Sequence, residues 1–281
     1  MLISTEEIAP SEIFASFIRC YSLRKFNTGE QILIKPCHAS HEISLLFFLK
    51  EKPLYLIQAE SRQIIQVGRN IDLIGPSTRY AGDMVFKGDY AFFEILFKAN
   101  GFFRLFNISP VEVVGQIIHS GEIFDRTLDF LYEQIKSYGC LPQMAAAAEN
   151  WLQDHYNRQK SFAALDAISN IVNLIDQSRY SLPVTELASQ VYMSRRNFER
   201  KFTEQVGIPP KVYERIVRFN KALYLKLKNN SESWTSIAHM CGYFDQMHLI
   251  KEFKELAGHT PYKFLLLTSL TQEHFISRIE E

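Results

Sequence analysis

The strongest constraint on this chain is a pattern that occurs twice in its last third. "TELASQVYMSRRNFERKFTEQVGIPP" carries Leu187, Ala188, Phe198, Phe202, Gly207 and Pro210, and "TSIAHMCGYFDQMHLIKEFKELAGHTP" carries Ile237, Ala238, Leu249, Phe253, Gly258 and Pro261. The first pair recurs after 50 residues and the other four after 51, so the extra residue falls where "CGYF" replaces "VYM". One supersecondary unit is used twice.

In the first copy, Val184, Leu187, Ala188 and Val191 at helical spacing predict a short amphipathic helix opened by Pro183. After a tight turn, Ser194 is placed to cap a second helix. Phe198, Phe202 and Val206 then share one face, and Arg195, Arg196, Glu199, Arg200 and Thr203 the other. Gly207 ends that helix ahead of Pro209 and Pro210. In the second copy Ser233 and Asp245 are the expected caps. Between the copies runs "KVYERIVRFNKALYLKLK", 18 residues with Val212, Ile216, Phe219, Leu223 and Leu227 on one face. At about 1.5 Å per residue such a helix spans roughly 27 Å, comparable with the ~34 Å of one duplex turn. Two short helices across a tight turn, the second with an arginine-rich outer face, are the layout of a helix-turn-helix.

Charge agrees with a local nucleic-acid surface. The chain has 31 Lys+Arg and 31 Asp+Glu, yet residues 181–264 hold 13 against 8 and residues 1–180 hold 17 against 20. The basic excess therefore sits in the repeated region. Cys20, Cys37, Cys140 and Cys241 form no CxxC pair, which fits a reducing cytoplasm. The N-terminus lacks a basic stretch followed by an apolar one, so a soluble, unexported protein is expected.

From Gln31 to Phe97, short β-prone runs ("QILIKP", "ISLLFFL", "LYLIQA", "QIIQVG", "IDLIGPS", "YAFFEILF") alternate with Gly and Pro, predicting a sandwich or barrel. Residues 1–179 hold 15 of the 22 Phe, so its core is aromatic. Helical patterns follow. "SPVEVVGQII" offers Ser109 as a cap, "TLDFLYEQIKSYG" places Leu128, Leu131 and Ile135 on one face, and "PQMAAAAENWLQDHYNRQ" is a strong helix former. "SFAALDAISNIVNLIDQS" is read as the first helix of a second domain. Its apolar faces pair with one another, so residues Leu165 to Leu267 are expected to fold alone.

The order and spacing of "ELASQVYMSRRNFERKF", "RIVRFNKALYL", "IAHMCGYFDQMHLIKEFK" and "GHTPYKF" resemble the AraC/XylS family of bacterial transcription regulators over about residues 165 to 266. The resemblance implies two helix-turn-helix units joined by a long helix, binding double-stranded DNA without a cofactor. By position it assigns Ser194, Arg195, Arg196, Glu199 and Arg200 to DNA in the first unit and Gln246, Met247, Ile250 and Lys251 in the second. Met247 stands where the family often has Ser and Ile250 where a small polar residue is usual. The first unit is therefore expected to specify and the second mainly to anchor. "FIRCYSL", "IGPSTRY" and "FFEILFKANGFFRLFNISPVEV" resemble the cupin-like domains such regulators use for effector sensing or oligomerisation.

"KPCHASHE" raises two enzymatic alternatives, an alkyl acceptor at Cys37 activated by His38, and a cupin metal site from His38, His41 and Glu42. No Arg-Val follows Pro-Cys-His, and His38 and His41 are an odd number of residues apart, so on one strand they face opposite sides. No metal or catalytic residue is assigned. The expectation is an α+β two-domain chain. Residues 1–160 form a β-rich cupin-like or jelly-roll domain with a helical hairpin, for effector sensing or dimerisation. Residues 161–281 form an all-α DNA-binding domain with two helix-turn-helix units joined by a long helix. The competing class is a DNA-repair alkyltransferase or metal-dependent cupin enzyme using the helical domain for targeting. RNA polymerase, a small-molecule effector and, from the alanine-rich helix near Ala145, a second copy of the chain are the further partners of a cytoplasmic activator of this kind.

Overall fold

The computed structural model describes residues 3–58, 63–158, 167–178 and 181–268. Among the described residues, ten strands form two antiparallel sheets: β1 Ile3–Ile8, β2 Ile18–Asn27, β3 Leu33–Cys37, β4 Ile43–Phe48, β5 Leu54–Gln58, β6 Gln63–Val67, β7 Ile71–Ile74, β8 Gly82–Phe86, β9 Asp89–Phe97 and β10 Ile117–His119. The six-stranded sheet runs β1-β2-β9-β4-β7-β10 and the four-stranded one β3-β8-β5-β6. Alternation sorts the side chains of the first sheet. Tyr21, Leu23, Leu45, Phe47, Phe93 and Ile95 face the helices that follow. Phe26, Leu46, Phe48 and Phe92 face the second sheet, meeting Tyr55, Met84 and Phe86.

Two buried polar clusters tie the strands. Glu94 on β9 accepts from Arg24 (2.7 Å) and Ser22 (3.1 Å) on β2 and from Ser44 on β4 (2.7 Å), so its charge is paired and its oxygens are occupied. Asp72 on β7 accepts from the Tyr55 hydroxyl of the other sheet (3.0 Å) and contacts His119 Nδ1 on β10 at 3.0 Å.

The helices of this half are α1 Gly101–Phe106, α2 Thr127–Ser137 and α3 Leu141–Arg158. Leu128, Leu131 and Ile135 of α2 are buried as their spacing predicts. Ala145, Ala147 and Ala148 of α3 are buried in the same core, so these small residues serve close packing within the chain. Ser109 does cap a turn, accepting from the Val111 amide, but the segment is a single 3-10 turn, Pro110–Val113. Gly115, at φ 68°, then redirects the backbone, and Ile117–His119 pairs with β7. Strand pairing there overrides the helical pattern.

The second half is all helical: α4 Ala167–Gln177, α5 Val184–Gln190, α6 Arg195–Val206, α7 Pro210–Lys228, α8 Trp234–Met240, α9 Gln246–Ala257 and α10 Pro261–Thr268. The expected junction at 160/161 lies outside the described residues. Among the described residues, no helix is long and apolar enough to cross a membrane.

Candidate nucleic-acid interface

Helix α6 begins at Ser194, whose hydroxyl accepts from the Asn197 amide at 3.3 Å, and ends at Gly207 with φ 88°. Phe198, Phe202 and Val206 are fully buried, with Phe202 edge-on to Tyr213 of α7. The opposite face is open. Arg195 pairs with Glu199 (3.1 Å), and Arg200 reaches Glu204 (3.4 Å) and Asn197 (3.1 Å). Exposed pairs of this kind contribute only about 0–1 kcal/mol each, so a phosphate or base edge can displace them. Arg196 is exposed and has no ion-pair partner among the described residues. The positions expected to meet DNA in the first unit are thus brought together on one open face.

Helix α9 repeats this construction. Asp245 accepts from the His248 amide at 2.7 Å, Leu249 and Phe253 are buried, and Gly258 at φ 73° ends the helix. Met247 and Lys251 are exposed, and the Gln246 side-chain oxygen accepts from Thr235 at 2.8 Å. Ile250 leans on the apolar core beside α7, so only part of its side chain faces outward. One feature has no equivalent in the first unit, where Lys201 stands at the matching position. Glu252, buried on α9, accepts from Arg215 (3.2 Å) and Arg218 (2.9 and 3.0 Å) of α7 and from the Tyr243 hydroxyl (3.0 Å). This cluster locks the second recognition helix to the connecting helix. At the far end of α7, the buried Lys226 donates to the carbonyls of Asn230 (2.7 Å) and Glu232 (2.6 Å), fixing the entry into α8.

The β-rich half grips both units. Pro110 lies against Gly207, where an added Cβ would come within 2.9 Å of it, and Tyr80 lies against Gly258, where the distance would be 2.6 Å. The two glycines that end the recognition helices therefore also admit close approach of the first domain. The Ser109 hydroxyl donates to the Glu204 carbonyl at 2.8 Å. Nearby, Val111 and Glu112 share with Glu199, Arg200 and Thr203 an open cleft of about 760 Å³. Asn100 donates to Ser169 (2.9 Å) and Gln205 (3.2 Å), all three buried.

The segment Cys37 to Glu42 runs into the helical domain. The Ala39 amide donates to the Leu256 carbonyl at 2.8 Å. The His38 ring packs on Phe219 and Phe264 (5.6 and 5.9 Å), and His41 packs on Tyr213 (5.0 Å) with Asn220 donating toward its Nδ1 (3.4 Å). Ala39 and Ala99 belong to the apolar core of the helical domain, which corrects the expectation that its faces pair only with one another. Burial pushes the Cys37 thiol up to about 11, the reverse of what an alkyl-accepting nucleophile needs. Among the described residues, no three His, Cys, Asp or Glu side chains converge as metal ligands.

Sequence reasoning passed over one residue of this surface. Tyr192, in the turn before α6, has φ 55°, where the second unit places Gly242 at φ 72°. Its ring is 99% exposed. A left-handed backbone costs an L-residue about 1–2 kcal/mol, and glycine in the unfolded chain returns about 0.5–1 kcal/mol of that. Tyr192→Gly is therefore expected to hold or raise stability, by up to about 1 kcal/mol in urea unfolding. A loss of that size instead would show that the ring packs on the fold. The signal lay in aligning the two turns residue by residue.

Comparison with known proteins agrees with this geometry. A helix-turn-helix domain family matches residues 187–266. The HTH-type transcriptional activator RhaS of Pectobacterium carotovorum is 26% identical over 128 residues, 46% of this chain and 38% of that protein. The Msm operon regulatory protein of Streptococcus mutans is 30% identical over 123 residues, 43% of each chain. The chain thus spans less than half the length of these relatives. The crystal structure of ToxT from Vibrio cholerae superposes with a TM-score of 0.51, covering 88% of this chain and 98% of that one at 10% identity, a likeness of fold.

Proposed function

We propose that this chain, whose residues 187–266 match a helix-turn-helix domain family, is a sequence-specific DNA-binding transcription regulator of the AraC type. In this reading α6 and α9 enter successive major grooves on one side of the duplex. The observation that carries it is the pairing of two capped helices, each buried by apolar side chains on one face and open on the other, across one 19-residue helix. At about 1.5 Å per residue that helix is roughly 28 Å long, near the spacing of adjacent grooves.

Residues 1–160 are the effector-sensing or dimerising domain of this proposal and residues 161–281 the DNA-binding domain. Contacts of the first domain with the ends of both recognition helices support a role in setting their relative placement. A small-molecule effector or a second copy acting on that domain, and RNA polymerase as the partner of an activator, belong to the same reading. The name of the RhaS relative supports activation.

The proposed DNA contacts are Ser194, Arg195, Arg196, Glu199 and Arg200 in the first unit and Gln246, Met247, Ile250 and Lys251 in the second. Ser194 acts through its cap, which aims the first turn of α6. Arg196 can meet guanine O6 and N7 directly, while Arg200 must first leave Glu204 and Asn197. Met247 and Ile250 offer a thymine methyl only apolar contact, and Lys251 suits phosphate.

Selecting bound duplexes from a random pool with the full chain tests the proposal and yields the site. Arg196→Ala should then weaken the selected site by about 1–3 kcal/mol and relax base preference in one half of it. Lys251→Ala should weaken all sequences evenly and flatten the salt dependence by about one counterion. Failure to enrich any sequence would overturn the function. A site sharpest where α9 docks would overturn the division of labour.

A further inference from the structure

Two aromatic side chains, one in the turn of each helix-turn-helix unit, stand almost fully clear of the fold, Tyr192 at 99% and Phe244 at 86% exposure. Each lies in the turn of its helix-turn-helix unit, Tyr192 two residues before the Ser194 cap and Phe244 one residue before the Asp245 cap. Among the described residues the Tyr192 hydroxyl has no hydrogen-bond partner and neither ring stacks on another. The turns correspond through their backbones. Met193 N–H donates to the Ala188 carbonyl (3.0 Å) as Tyr243 N–H donates to the Ala238 carbonyl (2.9 Å), which places Tyr192 opposite Gly242. The fold therefore requires only a glycine at 192, and a tyrosine there is disfavoured by its backbone and gains no contact in return.

A ring held out at such a place has its partner outside the chain, and its position says which. Tyr192 precedes the α6 terminus that carries Arg195 and Arg196. When the first turn of a recognition helix enters a major groove, the preceding turn comes to the groove rim, where the sugar-phosphate backbone passes. Tyrosine is among the side chains that hydrogen-bond phosphate oxygens, and the neighbouring arginines favour that anion. Phe244 has no polar atom and can meet only the deoxyribose.

We propose that Tyr192 donates its phenolic proton to a phosphate at the rim of the groove read by α6, and that Phe244 packs on deoxyribose at the rim of the groove read by α9. This rests on the DNA-binding reading above. Both contacts are with the backbone, so they set affinity and register and carry no base preference.

The test uses the full chain on the selected duplex and on a scrambled one, at two salt concentrations. Y192G and Y192F should each lose roughly ten- to a hundredfold in affinity, the size expected of one hydrogen bond to a charged group. The loss should be equal on both duplexes. The salt slope should match the wild type, because a neutral phenol releases no counterion. Y192G should also unfold no more easily than the wild type, which separates lost contact from lost fold. F244A should lose about threefold on both duplexes, a loss of packing only. Wild-type affinity in Y192F would overturn the phosphate hydrogen bond, and wild-type affinity in F244A the deoxyribose contact. A loss confined to the selected duplex would overturn the backbone assignment. If Y192G binds DNA normally but lowers transcription by purified RNA polymerase, the partner is the polymerase and the proposal fails. R196A separates the two levels: if it weakens binding while the Tyr192 and Phe244 variants do not, this inference alone fails, whereas a wild-type chain that retains neither duplex overturns the DNA reading with it.

Discussion

Replacing Glu252 with alanine should destabilise the helical domain by about 3–5 kcal/mol, the cost of leaving buried charge without its partner. The carboxylate is 5% exposed and accepts four hydrogen bonds, one from Arg215, two from Arg218 and one from the Tyr243 hydroxyl. Arg215 keeps a second partner, Glu255 at 3.0 Å, but the Arg218 guanidinium, stacked over the Tyr243 ring at 4.6 Å, loses its only acidic partner among the described residues. Because these arginines lie on α7 and the carboxylate on α9, the variant should loosen the second recognition helix while leaving α6 packed. Denaturant unfolding of the full chain measures the stability loss. Binding to the selected duplex should then weaken, with base preference retained in the half read by α6. A loss below about 1 kcal/mol would show that both arginines escape to water at little cost.

Stability should also fall as the pH drops from 7 to 5, because His38 and His41 are held neutral between the domains. Burial lowers His38 to about 4 and His41 to about 3, with Lys35 opposing protonation of the first and Arg19 of the second. The unfolded chain, with histidines near 6.5, then binds more protons than the folded one. The stabilisation from neutral imidazoles is complete above about pH 6.5 and is lost progressively toward the folded values. At pH 5 this amounts to about 2 kcal/mol for each histidine. Asp176, raised to about 6 by burial and bonded to Tyr213, takes up its proton more readily when folded and offsets part of the loss. The difference between wild type and a His38→Gln, His41→Gln variant isolates the histidines. The variant should show a flatter stability profile between pH 7 and 5, and parallel profiles would show that both rings remain accessible to protons. Release of this contact should come before loss of the sheets, since Ala39, His38 and His41 meet the helical domain through Leu256, Phe219, Phe264 and Tyr213.

How far the chain could be read in advance follows the range of the forces involved. Ser194, Ser233 and Asp245 cap the helices that their spacing predicts, and Gly207 and Gly258 end them. Capping and a 3.6-residue apolar stripe are decided within a few residues, so they are legible in the chain itself. The six β-prone runs from Gln31 onward became β3 to β7 and β9 for the same reason. By contrast β2, a central strand, went unmarked because Ser22 and Arg24 interrupt its apolar alternation. They are tolerable inside only because Glu94, 70 residues from Arg24, arrives on the next strand with the opposite charge.

The same limit applies to the functional surface. The sequence by itself determined the two recognition helices, their open faces and the cationic residues on them, since all follow from local periodicity. Local spacing also sets the one-turn pairs of Arg195 with Glu199 and of Arg200 with Glu204, which leave Arg196 open. Tertiary structure alone decided that Ile250 turns partly inward, that Cys37 to Glu42 serves the joint between the domains, and that Pro110 and Tyr80 reach the ends of α6 and α9. Each of these outcomes depends on groups brought together by packing across long stretches of chain, where burial makes the presence or absence of a partner worth more than any local preference.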